Sequence, residues 1–242
     1  MPASLAHRLG PALRRRVELV RHRGTAVGCP LCGGRFDRFK DAWNRPNALC
    51  WRCGSHERHR AQWLLFTRRP ELLRTPRSLL HFAPEWTMRE RIAPIAAERG
   101  IRYLTADLDP EGVDLELDLQ ALALPDDCFD AVMCSHVLEH VPDDAAAMRE
   151  LRRVTAPGGW CLVMVPLDIT RSETYEDASV VTAEDRRREF LQHDHVRLYA
   201  PDIAVRLADA GFAVETVRPS DLGADAVRSA ALLPADWIFL CR

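Results

Sequence analysis

Residues 129–141 read Phe-Asp-Ala-Val-Met-Cys-Ser-His-Val-Leu-Glu-His-Val, an apolar run that ends abruptly in polar residues. A short and nearly continuous apolar run is typical of a strand that is buried on both faces in a parallel sheet. The residues from Ser135 to His140 then lie beyond the carboxyl end of this strand. Because open parallel sheets bind ligands at that end, the stretch predicts a central strand and one wall of a binding site.

Similar apolar runs alternate with helical patterns along the rest of the chain, from Ser78 to Arg242. Further strands are predicted at 79–82, 101–105, 113–117, 160–165, 212–217 and 237–241, and helices at 87–98, 143–154 and 201–210. Strands that alternate with helices are typical of βαβ units. The sequence therefore predicts an α/β fold with a Rossmann-like, doubly wound, mostly parallel sheet of seven strands.

Four cysteines near the N-terminus form two pairs, Cys29 with Cys32 and Cys50 with Cys53, each with two residues between its members. Two such pairs at this separation are typical of a zinc ribbon with a tetrahedral site, and buried or disulfide-bonded thiols are the alternative. A shell of four thiolates leaves no open position. We therefore expect a structural zinc ion, and the reaction must be sought elsewhere in the chain.

A helix is predicted between Ser55 and Pro70, directly after the cysteine pairs. Its residues His56 and His59 could be metal ligands. Because four cysteines already complete a zinc shell, we interpret both histidines as polar residues of this helix.

Charge is distributed unevenly along the chain. Residues 1–77 contain 17 Lys and Arg against 5 Asp and Glu, and residues 78–242 contain 16 against 30, although the net charge of the whole chain is −2. This shift favours a domain boundary near Thr75-Pro76. We expect a basic N-terminal helix at 5–20 plus the zinc ribbon in residues 1–77, and the Rossmann-like domain in residues 78–242. The basic part could bind nucleic acid or another polyanion, or dock onto the acidic domain.

The composition indicates a cytoplasmic protein. No apolar run reaches the roughly 18 residues of a membrane helix, and residues 1–23 lack the apolar stretch of a secretory signal. Four further cysteines show no pairing pattern, which favours a reducing compartment.

An acidic residue follows the second predicted strand of the Rossmann-like domain. Asp107 stands where a carboxylate can accept hydrogen bonds from both ribose hydroxyls of an adenosine-containing ligand. A solvated turn aspartate is the alternative.

The central block of this domain resembles the class I S-adenosylmethionine-dependent methyltransferases, in the branch often called type 11. The resemblance is carried by residues 117–119, 124–132, 135–141 and 150–154 and by the Pro-Gly-Gly turn at 157–159. It extends over roughly Ser78 to Arg242. A subset of these enzymes also has a cysteine-rich N-terminal segment and a segment similar to residues 190–199.

The resemblance implies that the domain binds S-adenosylmethionine. Asp107 would hold the ribose hydroxyls, and Asp118 and Leu119 would contact the adenine. The methionine end and the methyl group would lie against Phe82, Ala83, Glu85, Ser135 and His136, with Glu85 placed to bind the methionine amino group.

The loop after the first strand departs from the family pattern. The family usually has an acidic residue and a Gly-x-Gly-x-Gly loop there, whereas residues 81–86 read His-Phe-Ala-Pro-Glu-Trp and contain no glycine. Glycine lets the backbone approach a ligand closely. A weakened or absent activity is therefore an alternative.

Several histidines are candidates for a catalytic base. His136 and His140 follow the central strand, and His193 and His195 lie in the region where such enzymes often insert substrate-binding elements. An imidazole titrates near neutral pH and suits proton removal from a hydroxyl or an amine. Arg197 could hold a carboxylate or phosphate of the substrate, or it could pair internally with Glu176 or Asp177.

Three functions remain open on the sequence. The first is methyl transfer to a small molecule, a sugar or a lipid headgroup, with the zinc ribbon as scaffold or docking module. The second is an RNA methyltransferase, which the basic N-terminal part favours but the few exposed aromatic residues expected there do not. The third, suggested by the glycine-free loop, is a non-catalytic adenosyl-ligand-binding or interaction protein.

Overall fold

The computed structural model describes residues 10–43 and 45–242. Its N-terminal part begins with α1 (Pro11–Arg21), so the predicted helical residues 5–9 lie outside the described residues. Two small antiparallel hairpins follow α1 and carry the cysteine pairs at their ends. They are formed by β1 (Arg23–Gly28) with β2 (Arg35–Phe36), and by β3 (Lys40–Ala42) with β4 (Arg45–Leu49).

The remaining chain alternates strands and helices much as the sequence predicts. The elements in chain order are α2 (Glu57–Arg68), β5 (Ser78–Phe82), α3 (Trp86–Arg99), β6 (Arg102–Asp107), β7 (Leu115–Glu116), β8 (Phe129–Ser135), α4 (Asp144–Val154), β9 (Thr155–Met164), β10 (Tyr175–Glu176), α5 (Ala183–Glu189), β11 (Arg197–Leu198), α6 (Ile203–Asp209), β12 (Val214–Val217), α7 (Ala224–Ala230) and β13 (Ile238–Cys241). The short helices α5 and α7 were not predicted.

Within the described residues, seven of these strands form one sheet in the order β12-β13-β9-β8-β5-β6-β7. The ladders from β7 to β9 are parallel, and β13 is antiparallel to both of its neighbours. The prediction of a mostly parallel, doubly wound sheet is confirmed. The chain moves from β5 outward through β6 and β7 and then returns to place β8 on the other side of β5. Strand order reverses between β5 and β8, which is where such folds bind ligands.

The two faces of the sheet are covered by different elements, as the alternating direction of strand side chains requires. On one face Leu79 of β5 packs in a core with Leu65 and Phe66 of α2 and with residues of α3 and the hairpins. On the other face Leu80 packs with residues of α4 and α6. The first core is continuous across residue 77, and the division into two domains at this residue stays a prediction.

A buried arginine joins the N-terminal part to the end of the chain. Arg60 of α2 is fully buried, and its guanidinium lies 4.2 Å from the centre of the Phe39 ring. It donates hydrogen bonds to the carbonyl oxygens of Asn47, Ala48, Ser55, Ala230 and Ala231 at 2.6–3.4 Å. Burial lowers the pKa of Arg60 from its ordinary value. These carbonyls compensate the buried charge, and they fix the hairpins against α7.

Within residues 10–43 and 45–242, none of the helices combines the length and the apolar character that a membrane crossing needs.

Candidate functional site

A first cleft opens at the carboxyl ends of β5, β6 and β8, beside the point where strand order reverses. Its volume of about 480 Å³ falls in the range of small-molecule sites. The strand order explains why these residues meet, because parallel neighbours present their carboxyl ends at the same edge. The predicted residues that line the cleft are Phe82, Ala83, Asp107, Asp118, Leu119, His136 and His140.

Two aspartates stand on the side of the first cleft away from β8. Asp107 ends β6 and is half-buried, and one of its carboxylate oxygens accepts a hydrogen bond from the Asp109 backbone N–H at 3.2 Å. Asp118 is exposed and accepts from the Gln120 backbone N–H at 2.9 Å. Leu119, directly after Asp118, is buried. Each carboxylate is therefore held by a local turn and retains accepting capacity toward the cleft.

The glycine-free loop after β5 has a backbone conformation that usually requires glycine. Ala83 has φ of +43°, and its backbone N–H donates to the Ala106 carbonyl at 2.8 Å. Alanine has the smallest side chain that still carries Cβ, so this left-handed turn is formed at a modest cost. His136, at the end of β8, also has a positive φ of +58°. The two residues that flank the strand reversal thus both adopt uncommon conformations.

Replacing Ala83 by valine should lower the free energy of unfolding by about 1–2 kcal/mol, because a β-branched residue fits the left-handed region poorly. Replacing Ala83 by glycine should leave it nearly unchanged, because relief of strain and the more flexible unfolded chain oppose each other. Chemical denaturation of both variants measures the difference. Equal stability of the two variants would show that residue 83 does not hold this conformation.

A second cleft of about 750 Å³ adjoins the first and shares Ala83, His136 and His140 with it. Its far wall comes from the N-terminal part. Trp43 is 64% exposed there, and its indole stacks on the His56 ring at 5.0 Å between ring centres. The lining also includes the predicted residues Ser135, Glu85 and His195. The hairpins therefore contribute directly to a cavity at the end of the Rossmann-like sheet.

Glu85 lies in this second cleft and is bound by side chains of α2. Its carboxylate is 2.6 Å from Arg58 Nη2 and 2.7 Å from His59 Nε2. Burial raises the pKa of Glu85, but His59 and Arg58 outweigh this effect and hold the pKa below the usual range. The structure thus places the carboxylate in an internal ion pair. His59, interpreted from the sequence as a polar helix residue, is buried in this pair.

Three of the four candidate histidines come together, and the fourth does not. His136 Nδ1 lies 3.2 Å from a carboxylate oxygen of Glu139, and the His140 and His195 rings meet edge to face at 4.8 Å. Burial lowers the pKa of both His195 and His56, that of His56 to about 3. The side chain of His193 is 57% exposed and does not line either cleft.

Arg197 is engaged inside the protein, in the internal pairing that the sequence left as an alternative. Its guanidinium is buried, 3.3 Å from the Glu176 carboxylate, and donates to the carbonyl oxygens of Leu138, Val141 and Pro142. With its donors turned to these groups, Arg197 is placed to shape the turn after β8.

The four N-terminal cysteines converge on one point. The sulfurs of Cys29 and Cys53, and those of Cys32 and Cys50, lie 3.6 Å apart. Zinc–sulfur bonds of about 2.3 Å in a tetrahedron give sulfur separations of about 3.8 Å, whereas a disulfide needs about 2.0 Å. All four thiols are free. The geometry therefore fits a tetrahedral metal ion and excludes a disulfide between these atoms.

A tight turn with a glycine follows each cysteine pair of this cluster. Gly33 and Gly54 have φ of +67° and +70°, and their N–H groups donate to the carbonyls of Cys29 and Cys50 at 2.9 Å. Ser55 adds a hydroxyl 3.2 Å from the Cys29 sulfur.

Sequence reasoning missed several residues of the second cleft. Trp43 and Arg45 come from a hairpin that the sequence does not connect to the sheet, and no signal in the chain marks that contact. Glu139 belongs to the stretch after the central strand that the sequence places at a binding site, but no role was predicted for it. Its position one turn after His136 could have marked it, because residues three apart share a side of a helical turn.

Comparison with known proteins identifies a methyltransferase segment. Residues 89–163 match the family described as "Methyltransferase domain". A stretch of 110 residues is 36% identical to an uncharacterized 37.1 kDa protein in transposon TN4556 of Streptomyces fradiae, covering 44% of this chain and 31% of that protein. A stretch of 87 residues is 36% identical to a ubiquinone biosynthesis O-methyltransferase of Psychrobacter arcticus, and it covers 35% of this chain and 33% of that protein. The chain thus spans about a third of the length of the curated relatives it matches.

Solved structures share the fold at low sequence identity. The crystal structure of the [4+2]-cyclase SpnF matches 100% of this chain and 97% of its own, with a TM-score of 0.51 and 14% identity. The crystal structure of an S-adenosylmethionine dependent methyltransferase from Mesorhizobium loti matches 75% of this chain and 96% of its own. Its TM-score is 0.49 and its sequence identity is 19%. The likeness to SpnF shows the architecture alone, and one architecture supports different reactions. Residues 89–163, which include Asp107, Asp118 and His136, are nevertheless identified by sequence as a methyltransferase domain segment.

Proposed function

We propose that the protein is an S-adenosylmethionine-dependent methyltransferase whose acceptor is a small molecule, including a sugar or a lipid headgroup. The observation that supports this most is the first cleft, where Asp107, Asp118 and Leu119 meet Ala83 and His136 beside the strand reversal. The methyltransferase match over residues 89–163 supports the same conclusion.

The residues of the first cleft fit an adenosyl ligand. Asp107 would accept hydrogen bonds from the two ribose hydroxyls, and Asp118 would accept one from the adenine amino group. Leu108, 69% exposed at the cleft, would cover an apolar ring face. The left-handed turn at Ala83 keeps the backbone path that glycine would provide. The methionine end would lie along Phe82 and Ala83, pointing to His136.

The second cleft would hold the acceptor. It shares Ala83, His136 and His140 with the first cleft, so an acceptor bound there reaches the methionine end of the cofactor. S-adenosylmethionine supplies a methyl group on a positively charged sulfur, which already makes it electrophilic. The chain then has to position the acceptor and exclude water. His136, at the junction of both clefts, is placed to take a proton from the acceptor.

The names of the relatives support a small-molecule acceptor. The ubiquinone and demethylmenaquinone methyltransferases among the relatives carry names of small molecules. Trp43 and His195 both line the second cleft, whose volume of about 750 Å³ is that of a site for a small molecule.

The four N-terminal cysteines would hold a structural zinc ion. Their sulfur spacing and the absence of any open corner in a four-thiolate shell support this role. The ion would fix the two hairpins and so hold Trp43 and Arg45 at the rim of the acceptor cleft. We also propose that residues 1–77 form a domain of their own, whose core is continuous with one side of the sheet.

Replacing Asp107 by alanine should weaken S-adenosylmethionine binding about 10- to 100-fold, because charged hydrogen bonds are worth about 1.5–3 kcal/mol. Isothermal calorimetry on the pure protein gives the dissociation constants. The exposed Asp109, two residues further along, provides the matched control, and Asp109→Ala should bind the cofactor as the unchanged protein does.

Two results would contradict the proposal. One is the absence of any binding of S-adenosylmethionine to the unchanged protein at millimolar concentration. The other is equal affinity of Asp107→Ala and Asp109→Ala for S-adenosylmethionine, which would show that the ribose does not bind at the end of β6.

A further inference from the structure

Three side chains with metal-ligating atoms meet in the second cleft, away from the cysteine cluster. They are Glu139, His140 and His195, and one ligating atom of each lies within 4.8 Å of those of the other two. Glu139 and His140 belong to the short helical turn Leu138–His140 after β8, and His195 comes from the segment before β11. Two imidazoles and one carboxylate form a ligand set found in catalytic zinc and non-haem iron sites.

The carboxylate of Glu139 lacks the partners that its burial demands. Its side chain is 2% exposed, and both oxygens are buried without a hydrogen bond among the described residues. The nearest imidazole nitrogens, of His136 and His140, lie 3.2 Å and 4.0 Å from one oxygen. A buried carboxylate without hydrogen bonds is costly unless it is paired with a positive charge. A metal ion between Glu139 and the two histidines would supply that charge.

The two histidines are oriented by their other ring nitrogens. His195 Nδ1 lies 3.1 Å from the Phe190 carbonyl oxygen, which can only accept, so Nδ1 carries the hydrogen. His140 Nδ1 lies 3.2 Å from the Asp194 carboxylate. Both arrangements leave Nε2 with a free lone pair. Imidazoles that bind metals are commonly held in this way, by a carbonyl or a carboxylate behind the ring.

The backbone fixes the two ligand-bearing segments to each other. The Val196 N–H donates to the Glu139 carbonyl at 2.9 Å, next to His195. Arg197 donates to the carbonyls of Leu138, Val141 and Pro142, which enclose the turn that carries Glu139 and His140. Arg197 thereby acts as a positioning residue for this cluster. Ligands that are held before the ion arrives lose little conformational entropy on binding.

We propose that Glu139, His140 and His195 form a second metal site, distinct from the cysteine cluster and suited to zinc. Three protein ligands leave at least one coordination position open, and Glu139, His140 and His195 all line the second cleft, so a ligand bound in this cleft can reach that position. A ligand of that position would carry a hydroxyl or phenol oxygen, because a bound divalent ion stabilises the oxyanion. The assignment of this ligand to the methyl acceptor rests on the proposed function, and the metal site itself does not.

Metal content measured without cofactor tests the site. The full chain is loaded with Zn²⁺, freed of excess ion by gel filtration, and analysed by atomic emission. The unchanged protein should retain about two zinc ions per chain, and Glu139→Gln and His195→Asn about one each. His193→Asn is the matched control, because His193 is exposed and lies two residues from His195. It should retain about two. Circular dichroism checks that each variant is folded.

Cobalt spectra separate the two sites if a variant folds poorly. In the unchanged protein loaded with Co²⁺, the intense thiolate bands report the cysteine cluster, and the weaker visible bands of nitrogen and oxygen ligands report the second site. The latter should disappear in His195→Asn while the thiolate bands persist. One zinc ion or none in the unchanged protein, or two in folded His195→Asn, would overturn the second site. Failure of S-adenosylmethionine to bind would leave these metal counts unaffected and would count against the proposed function alone.

Discussion

Cys50→Ser should lose the zinc ion of the cysteine cluster and unfold the two hairpins between Arg23 and Leu49. These hairpins are short, and β2 has only two residues, so they have little regular structure to stabilise them. Apparent binding free energies of structural zinc are about 10–16 kcal/mol, and most of this is folding free energy in small metal-bound modules. The loss should therefore exceed that of any single core substitution in the sheet.

The consequence should reach the second cleft, because Trp43 and Arg45 belong to this part of the chain. Limited proteolysis should report an unfolded N-terminal part, while circular dichroism should retain the signal of the large sheet. Cys128→Ser is the matched control, because Cys128 is a half-buried free thiol outside the cluster. It should keep the metal and the protease resistance. Equal zinc content in Cys50→Ser and Cys128→Ser would refute the cysteine site.

Arg60→Ala should lower the free energy of unfolding by about 3–5 kcal/mol, because each buried carbonyl that is left without a donor costs about 1–3 kcal/mol. Five carbonyl oxygens accept hydrogen bonds from this guanidinium, and alanine leaves those that are buried without a donor. The side chain also packs on Phe39. Because its partners come from both the hairpins and the end of α7, the variant should loosen the contact between the two ends of the chain.

Urea denaturation measures this effect. Arg68→Ala provides the control, because Arg68 lies on the same helix and is exposed, and its replacement should change stability by less than about 0.5 kcal/mol. A loss below about 1 kcal/mol in Arg60→Ala would mean that water replaces the guanidinium, and that the network does not hold the two parts together.

The first cleft could be largely predicted, because it depends on local patterns and on one general rule of topology. Each apolar run of the right length became a strand, and Asp107 lies at the carboxyl end of its strand as predicted. Parallel neighbours bring their carboxyl ends to one edge whatever the details of packing. The residues that follow the strands therefore had to meet.

The second cleft could not be predicted in the same way. Its walls come from Trp43, Glu85, Glu139 and His195, which are far apart in sequence. Glu85 illustrates the reason. The sequence placed it after β5, next to the expected cofactor, but α2 packs where Arg58 and His59 can bind its carboxylate.

The sequence by itself determined the alternation of strands and helices along the chain, the cysteine cluster and the aspartates at the strand ends. Periodicity and short spacings record this local geometry directly. The tertiary structure alone decided that Arg60 joins the two ends of the chain, that Arg197 is used internally, and that Glu139 meets His140 and His195. The physical reason is that these contacts depend on how helices and hairpins pack over the sheet. Packing of this kind is fixed by many weak contacts across the chain, which no local pattern contains.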